Sequence, residues 1–194
     1  MRLIVARHGE TPLNVAHCFY GTLDVGLTET GFAQAKTLAQ KLRHVGPMTL
    51  MSSAMRRTLT TAAAVQAHTG QAVIIDPAFN EKSFGLWEGL TADEIEAAFP
   101  TEWQAWLDAP FAYTPPAATS FATFETRVKQ RVAQLIEETP ATTTVTVIAH
   151  QGVLRVIDHW LFPERDFWAS DFQAGHYTSY DLAAGHVQTV LRNQ

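Results

Sequence analysis

The alternation of short apolar runs with long amphipathic stretches constrains this chain more than any other feature. The apolar runs, rich in Val, Leu and Ile, predict strands over residues 3–6, 49–52, 73–75 and 145–149. The amphipathic stretches predict helices over residues 28–44, 54–69, 121–138 and 152–161. Because the strands are apolar almost throughout, we expect helices to cover both faces of the sheet. The predicted fold class is α/β, a three-layer sandwich with a mostly parallel central sheet, helices on both faces and a small inserted cap.

Two further segments have their own character. Residues 178–182 and 187–191 predict an edge hairpin whose turn lies at Ala183-Ala184-Gly185. Residues 88–118 are rich in aromatic residues and proline and show weak periodicity, so we interpret them as two short helices and a loop over the sheet. We therefore expect residues 1–194 to form a single domain with a cap insertion at about 88–118.

Composition excludes several classes of protein. Hydrophobic residues make up 46% of the chain and charged residues 17%, which excludes a disordered chain. The net charge of −5 argues against nucleic acid as a partner. Cys18 is the single cysteine, so an intrachain disulfide and a multi-cysteine metal site are both excluded. The sequence shows no signal peptide and no membrane-spanning apolar run, so we expect a cytoplasmic protein. We expect it to be a monomer or homodimer.

The common phosphate-handling and hydrolytic motifs are missing. The chain has no Gly-x-x-x-x-Gly-Lys loop and no Gly-x-Gly-x-x-Gly. Cys18 has no arginine six positions later, which argues against a cysteine-dependent phosphatase. A Gly-x-Ser-x-Gly elbow, a His-Glu-x-x-His motif and a dense aspartate cluster for magnesium are absent from the sequence as well.

Polar residues follow the first predicted strand where it ends. Arg7 and His8 are followed by Gly9, Glu10 and Thr11. Ligands of parallel sheets bind beyond the carboxyl ends of the strands, and a charged arginine beside a histidine suits an anion there. Gly9 is expected to let the backbone approach the ligand closely. The alternative is that Arg7 and His8 only end the strand at the surface.

A second histidine leaves the last core strand in the same way. His150 follows Ala149 and is followed by Gln151 and Gly152. Two histidines at equivalent ends of two core strands indicate a site more sharply than either histidine alone. The other histidines stand in predicted helices or loops, where we expect surface positions: His17, His44, His68, His159, His176 and His186.

Five motifs, in order along nearly the whole chain, resemble those of the histidine phosphatase superfamily, also called phosphoglycerate mutase-like. They are Arg7-His8-Gly9-Glu10-Thr11 with Asn14, Phe19-x-Gly21-x-x-Asp24-Val25-x-Leu27-Thr28-x-x-Gly31, Ser52-x-x-x-Arg56, Glu81-x-x-x-Gly85-x-Trp87-Glu88-Gly89 and His150-x-Gly152. The compact length and the sequence from His150 to Leu154 are most similar to bacterial α-ribazole phosphatases. The resemblance implies a phosphomonoesterase that acts on a small phosphorylated metabolite.

The chain departs from the family pattern in two places. Ser53, Ala54 and Arg57 stand where the family usually has Pro, Leu and Ala, which leaves two adjacent arginines, and position favours Arg56 as the phosphate ligand. The family's Gly-Glu-Ser element reads Ala117-Ala118-Thr119-Ser120 here, so the substrate contact of that glutamate cannot be carried over. The long insertion of true mutases is absent.

The resemblance implies a role for each candidate residue. His8 is the expected nucleophile, which forms a phosphohistidine, and Glu81 is the expected proton donor and acceptor. His150 is expected to stabilise charge on the transferring group, either protonated or as a hydrogen-bond donor. The expected phosphate-binding residues are Arg7, Asn14, Gly21, Arg56, Gln151 and Gly152. Since these groups supply positive charge themselves, no metal and no cofactor are expected.

Two alternatives remain open, a phosphoglycerate mutase and a phospho-ligand binding protein with little turnover. The cap bears on the substrate because residues 83–126 contain no Lys or Arg but several carboxylates and three tryptophans. If this segment covers the pocket, it forms an acidic, aromatic wall that repels polyanions and favours nucleoside-like monophosphates such as α-ribazole phosphate.

Overall fold

The structure is a computed structural model that describes residues 1–183 and 186–194. Its strands within these residues are β1 (Arg2–Arg7), β2 (Thr49–Ser52), β3 (Val73–Ile75), β4 (Thr144–Ala149), β5 (Tyr177–Ala183) and β6 (His186–Leu191). They form one sheet in the order β3-β2-β4-β1-β5-β6. The first four of these strands run parallel, while β5 pairs antiparallel with both β1 and β6. The prediction of a mostly parallel sheet is confirmed.

Each of the four stretches predicted to be helical from its periodicity contains a helix, and three shorter helices lie elsewhere in the chain. Those of the described residues are α1 (Pro12–Val15), α2 (Glu29–Leu42), α3 (Arg56–Thr69), α4 (Ala92–Ala98), α5 (Pro100–Asp108), α6 (Phe121–Glu138) and α7 (Gln151–Leu161). Single 3-10 turns lie at Pro77–Phe79, Gly85–Trp87 and Phe167–Ala169. The predicted cap segment contains α4 and α5, as the two-helix interpretation requires. None of the described helices is long and apolar enough to cross a membrane.

Alternating residues of β1 divide the core into two layers. Leu3 and Val5 are fully buried in a cluster with side chains of α6 and α7. Ile4 and Ala6 point to the other face and pack against side chains of α2 and α3. Because successive strand residues point to opposite faces, an apolar strand of this kind requires helices on both sides. The predicted three-layer sandwich is present.

Three expectations about the fold need correction or comment. The strand at β3 was expected to be buried, yet Ile74 and Ile75 are 51% and 55% exposed because β3 is an edge strand. Gly9, expected to let the backbone approach a ligand, packs closely against α2. A Cβ at this position would collide with the Gly31 carbonyl. The turn predicted at Ala183-Ala184-Gly185 lies, for residues 184–185, outside the described residues.

Candidate functional site

The register between β1 and β4 brings the two predicted histidines together. Arg7 is aligned with Ala149 in this parallel pair, so the next residues, His8 and His150, leave the sheet side by side. The His8 amide donates to the Ala149 carbonyl at 3.1 Å. The ring centroids of His8 and His150 are 5.2 Å apart, edge to face. Both side chains are buried, at 4% and 1% exposure.

His8 is held as a neutral imidazole with one free nitrogen. Its Nδ1 lies 2.7 Å from the Gly9 carbonyl oxygen, and since a carbonyl only accepts, Nδ1 carries the proton. Burial lowers the pKa of His8 well below 6.5, and the charges of Arg57 and Arg7 lower it further. The lone pair of Nε2 is therefore available to attack phosphorus.

His150 has both ring nitrogens engaged. Arg57 Nε donates to its Nδ1 at 3.2 Å, so the remaining proton sits on Nε2 and is donated to Ser53 Oγ at 2.8 Å. Ser53 Oγ in turn lies 2.7 Å from Thr58 Oγ1. Burial lowers the pKa of His150 well below 6.5, and electrostatic interactions with His8 and Arg57 lower it further. In this arrangement His150 is neutral and donates to Ser53.

Arg57 lies beneath the histidine pair and is 1% exposed. Its Nη2 donates to the Gly21 carbonyl at 2.7 Å and its Nη1 to the Leu23 carbonyl at 2.9 Å. The guanidinium also lies 4.8 Å from the centre of the Tyr20 ring. Three of its N–H groups are used by these contacts and by His150, which leaves two of the usual five for an anion.

Glu81 faces the start of α7. Its Oε2 accepts the Gly152 amide at 2.9 Å, and its Oε1 accepts the Lys82 amide at 2.9 Å. A Cβ at position 152 would lie 2.5 Å from Glu81 Oε1, so only glycine permits this approach. The expectation that the Gly152 amide is available to phosphate is not met here, because Glu81 occupies it.

The histidine pair lies at the floor of a cavity of about 620 Å³. Its charged lining consists of Arg7, Arg57, Lys82 and Arg155 together with Glu81. Among the described residues, its aromatic lining is Phe19, Tyr20, Phe84, Trp106, Phe111, Phe121, Phe124, Phe167 and Trp168. A phosphate fills only a small part of this volume, so the cavity suits a phosphate joined to a larger, partly apolar group.

Sequence comparison decides the family. The family model described as the histidine phosphatase superfamily, branch 1, matches residues 3–194. The chain belongs to the histidine phosphatase superfamily. The adenosylcobalamin/alpha-ribazole phosphatase of Salmonella typhimurium is 32% identical over 202 residues, which cover 100% of this chain and 96% of the relative.

Solved structures of histidine phosphatases agree with this fold. The alpha-ribazole phosphatase from Shigella flexneri superposes with a TM-score of 0.92 at 27% identity, covering 100% of this chain and 96% of that one. A mycobacterial glucosyl-3-phosphoglycerate phosphatase solved with VO3 superposes with a TM-score of 0.81 at 30% identity, covering 92% of each chain. Phosphatases with differently named substrates thus share this architecture.

Most of the residues expected to form the phosphatase site lie together in the cavity. They are Arg7, His8, Asn14, Glu81, His150, Gln151 and Gly152. Asn14 has a second contact, since its Oδ1 accepts the Thr11 amide at 3.1 Å and caps α1. That contact fixes the position of the Asn14 amide group at the cavity wall.

Arg56 was expected to bind phosphate, but the structure does not bring it to the cavity. Arg56 is exposed and lies outside the cavity lining, whereas Arg57 is buried inside it. Helical spacing could have identified Arg57 as the buried arginine. It lies four and eight residues before Thr61 and Val65, which are buried on the same face of α3. The family motif therefore falls one residue later, on Ser53 and Arg57.

Gly21 also differs from its expected role. It lies outside the cavity lining, and its carbonyl accepts from Arg57, so its contribution to this phosphatase site is to hold that arginine. The expected acidic wall is likewise absent from the described cavity lining. The cap contributes the rings of Trp106 and Phe111, and the carboxylate of Glu88 instead accepts the amides of Leu23 and Phe84.

Sequence reasoning missed three residues of the cavity. His17 is exposed, as expected, but it also lines the cavity just after the end of α1, with a left-handed φ of 55°. Lys82 and Arg155 line it as well. The one available signal for Arg155 was its place three residues after Gly152, on the same face of α7. No group of three or more potential metal ligands occurs among the residues that the structure describes.

Proposed function

We propose that this histidine phosphatase hydrolyses phosphomonoesters through a phosphohistidine on His8. In the first step His8 Nε2 attacks phosphorus and the bond from phosphorus to the leaving oxygen breaks. The leaving oxygen takes a proton from the protonated form of Glu81. In the second step water attacks the phosphohistidine, the N–P bond breaks, Glu81 accepts a proton from the water, and inorganic phosphate leaves.

The observation that carries this proposal is the hydrogen bond from His8 Nδ1 to the Gly9 carbonyl. It orients the ring and leaves Nε2 unprotonated, which a nucleophile requires. The charges of Arg7 and Arg57 support this state by lowering the pKa of His8. A binding protein needs neither the free nitrogen nor Glu81 on the same cavity, so an enzyme is the better interpretation.

Arg7 and Arg57 are the proposed clamps for the phosphoryl oxygens. A guanidinium presents paired N–H groups that match phosphate oxygens, and Arg57 keeps two such groups free. His150 lies beside the same position. A bound phosphate dianion raises the pKa of a neighbouring imidazole, so we assign His150 to stabilising the transferring group in its protonated form, in which Nδ1 carries a proton and no longer accepts from Arg57. Asn14 and Gln151 complete the phosphate-binding set, with Arg57 replacing Arg56.

The leaving group is proposed to be bulky and at least partly aromatic. Trp106, Phe111 and Trp168 form part of a wall that can stack on a flat ring. The alpha-ribazole phosphatases among the relatives are named for a nucleoside-like phosphate, and α-ribazole phosphate is therefore a suitable first substrate to test. We place the protein in the cytoplasm on the basis of its single cysteine, and its net charge of −5 argues against a nucleic-acid partner. We further propose a monomer or homodimer.

The test is to trap the intermediate. Brief mixing with labelled p-nitrophenyl phosphate, followed by denaturation in base, should leave an acid-labile label on the wild-type chain and none on His8→Asn. The control variant is His68→Asn, an exposed histidine of α3. Turnover without label on His8, or label that survives acid, would contradict the proposal. Repeating the assay in excess EDTA tests the expectation that no metal is needed, since magnesium-reversible loss would contradict it.

A further inference from the structure

Two cations of the cavity are not needed to hold the reacting phosphate. Arg7 and Arg57 flank the histidine pair, whereas Lys82 and Arg155 lie against aromatic side chains of the wall. In the part of the chain that the structure describes, neither Lys82 nor Arg155 forms a salt bridge with a carboxylate. Lys82 and Arg155 are therefore partly buried positive charges that no carboxylate of the described residues pairs with directly.

Lys82 carries its charge close to the Phe84 ring. Its Nζ lies 4.2 Å from the ring centre, and its one hydrogen bond to the described residues is a long one, 3.4 Å to the Ser83 carbonyl. Burial lowers the pKa of Lys82, and the negative charges of Glu81 and Glu88 act in the opposite direction. An ammonium has three N–H groups, so Lys82 retains donors for a ligand.

Arg155 is held from the side of α7. Its Nε donates to the Ser170 carbonyl at 2.9 Å, and its guanidinium carbon lies 5.4 Å from the centre of the Trp168 ring. Asp171 and Asp166 lie near enough to raise its pKa, but burial is the larger influence and lowers it. The two terminal nitrogens of the guanidinium have no hydrogen bond to the described residues and remain able to bind an anion in a forked geometry.

The charge balance of the cavity points the same way. Its lining carries four cationic side chains against the single carboxylate of Glu81, with His8 and His150 neutral. A phosphomonoester dianion neutralises part of this excess and leaves positive charge in a partly desolvated space. Burying unpaired charge is costly, and a ligand that supplies the missing anion removes that cost.

We infer that Lys82 and Arg155 form a second anion subsite, which binds a carboxylate or second acidic group on the leaving group. The preferred substrate is then an aromatic or nucleoside-like phosphomonoester that carries another acid. Gln151 adds a polar contact, because its buried Oε1 has no hydrogen-bond partner among the described residues and can accept from a hydroxyl or N–H of such a ligand. This substrate class reverses the preference expected from an acidic cap.

The inference rests on the proposed function for its catalytic meaning, so binding and turnover are measured separately. Calorimetry compares benzylphosphonate with its 3-carboxy and 4-carboxy derivatives, which are not hydrolysed. Turnover compares phenyl phosphate with 3-carboxyphenyl and 4-carboxyphenyl phosphate. At least one carboxylated isomer should bind the wild type about 10-fold more tightly than benzylphosphonate itself, as a charge-assisted hydrogen bond allows.

Variants identify the residues responsible. Lys82→Gln and Arg155→Gln should each reduce the ratio of affinities between the carboxylated phosphonate and benzylphosphonate towards one. The charge-conserving variants Lys82→Arg and Arg155→Lys should retain most of the ratio, which excludes a general loss of folding. Arg43→Gln, which removes an exposed charge at the end of α2, is the matched control and should keep the wild-type ratio.

The possible results separate the two proposals. A ratio near one for both isomers in the wild type, or an unchanged ratio in Lys82→Gln and Arg155→Gln, overturns the subsite even if phenyl phosphate is hydrolysed. A high ratio that depends on Lys82 and Arg155, without hydrolysis of any phosphate ester, supports the subsite and contradicts the proposed phosphatase activity.

Discussion

Arg57 Nε donates to His150 Nδ1 across 3.2 Å, inside a site where both side chains are almost completely buried. This hydrogen bond sets the tautomer of His150 and directs its other nitrogen to Ser53. It also places a permanent positive charge beside His8, whose pKa it lowers. One arginine thus acts on both histidines and, in our proposal, on the phosphate as well.

Replacing Arg57 should therefore impair catalysis far more than replacing its neighbour. Arg57→Gln is expected to lower kcat/KM by about 100-fold or more, because it removes a preorganised charge at the reacting phosphate. Arg56→Gln changes an exposed residue and should stay within about 2-fold of the wild type. Steady-state kinetics on p-nitrophenyl phosphate, with circular dichroism to confirm folding, measures both. Equal losses of kcat/KM in the two variants would contradict the assignment of Arg57, rather than Arg56, to the reacting phosphate.

Replacing Glu81 should affect substrates according to their leaving groups. Glu81→Gln keeps an oxygen that can accept the Gly152 amide but cannot donate an acidic proton. An alkoxide needs that proton and a nitrophenolate does not, so we expect a loss of about 100-fold or more for alkyl phosphates and a much smaller loss for p-nitrophenyl phosphate. Similar losses for the two substrates would exclude Glu81 as the proton donor to the leaving oxygen.

The buried histidine pair should make stability depend on pH. Folding lowers the pKa of His8 and of His150 well below 6.5, the usual value, so the unfolded chain binds more protons in the acidic range. Above pH 6.5 these groups do not change the free energy of unfolding. As the pH drops below 6.5, the free energy of unfolding decreases by up to about 1.4 kcal/mol per pH unit for each histidine.

Urea denaturation between pH 8 and pH 5.5 measures this dependence. His150→Gln should reduce the slope below pH 6.5, because one of the two groups is removed. His68→Gln, at an exposed position, should leave the slope as in the wild type. A wild-type free energy of unfolding that stays constant down to pH 5.5 would mean that both histidines accept protons in the folded chain.

A buried aspartate should be important for stability, away from the reacting centre. Asp158 is fully buried on α7 and accepts hydrogen bonds from Ser170 at 2.5 Å, Tyr180 at 2.8 Å and Arg192 at 2.8 Å. Asp158→Ala leaves these donors without their acceptor and should lower the free energy of unfolding by about 3 kcal/mol or more. The exposed pair of Arg2 and Asp181 provides the comparison, and Asp181→Asn should cost less than about 1 kcal/mol. Thermal and urea denaturation measure both, and a loss for Asp158→Ala as small as that for Asp181→Asn would contradict the expectation.

The sequence by itself determined the architecture and the placement of His8 and His150 at one edge of the sheet. Apolar strands such as Leu3–Ala6 require cover on both faces, so their spacing between amphipathic helices predicts the sandwich without any coordinates. His8 and His150 were predictable because parallel strands bring their carboxyl ends to one edge of the sheet. Glu81 and Gly152 came from motif order along the chain. The sandwich and the histidine pair follow from periodicity and position, which the sequence displays directly, whereas Glu81 came from the resemblance to the family.

Tertiary structure alone decided where each side chain points. Arg56 and Arg57 are adjacent, and the rotation of α3 against the sheet buries one and exposes the other. The cap shows the same limit, because its packing turns Trp106 towards the cavity, while Glu88 accepts the Leu23 amide. Lys82 and Arg155 are distant in sequence and line the same cavity only in the folded chain. The sequence gives the number of such charges, but only the packing of the folded chain decides which of them lie together in a low-dielectric space. The charges that lie together determine which ligand binds.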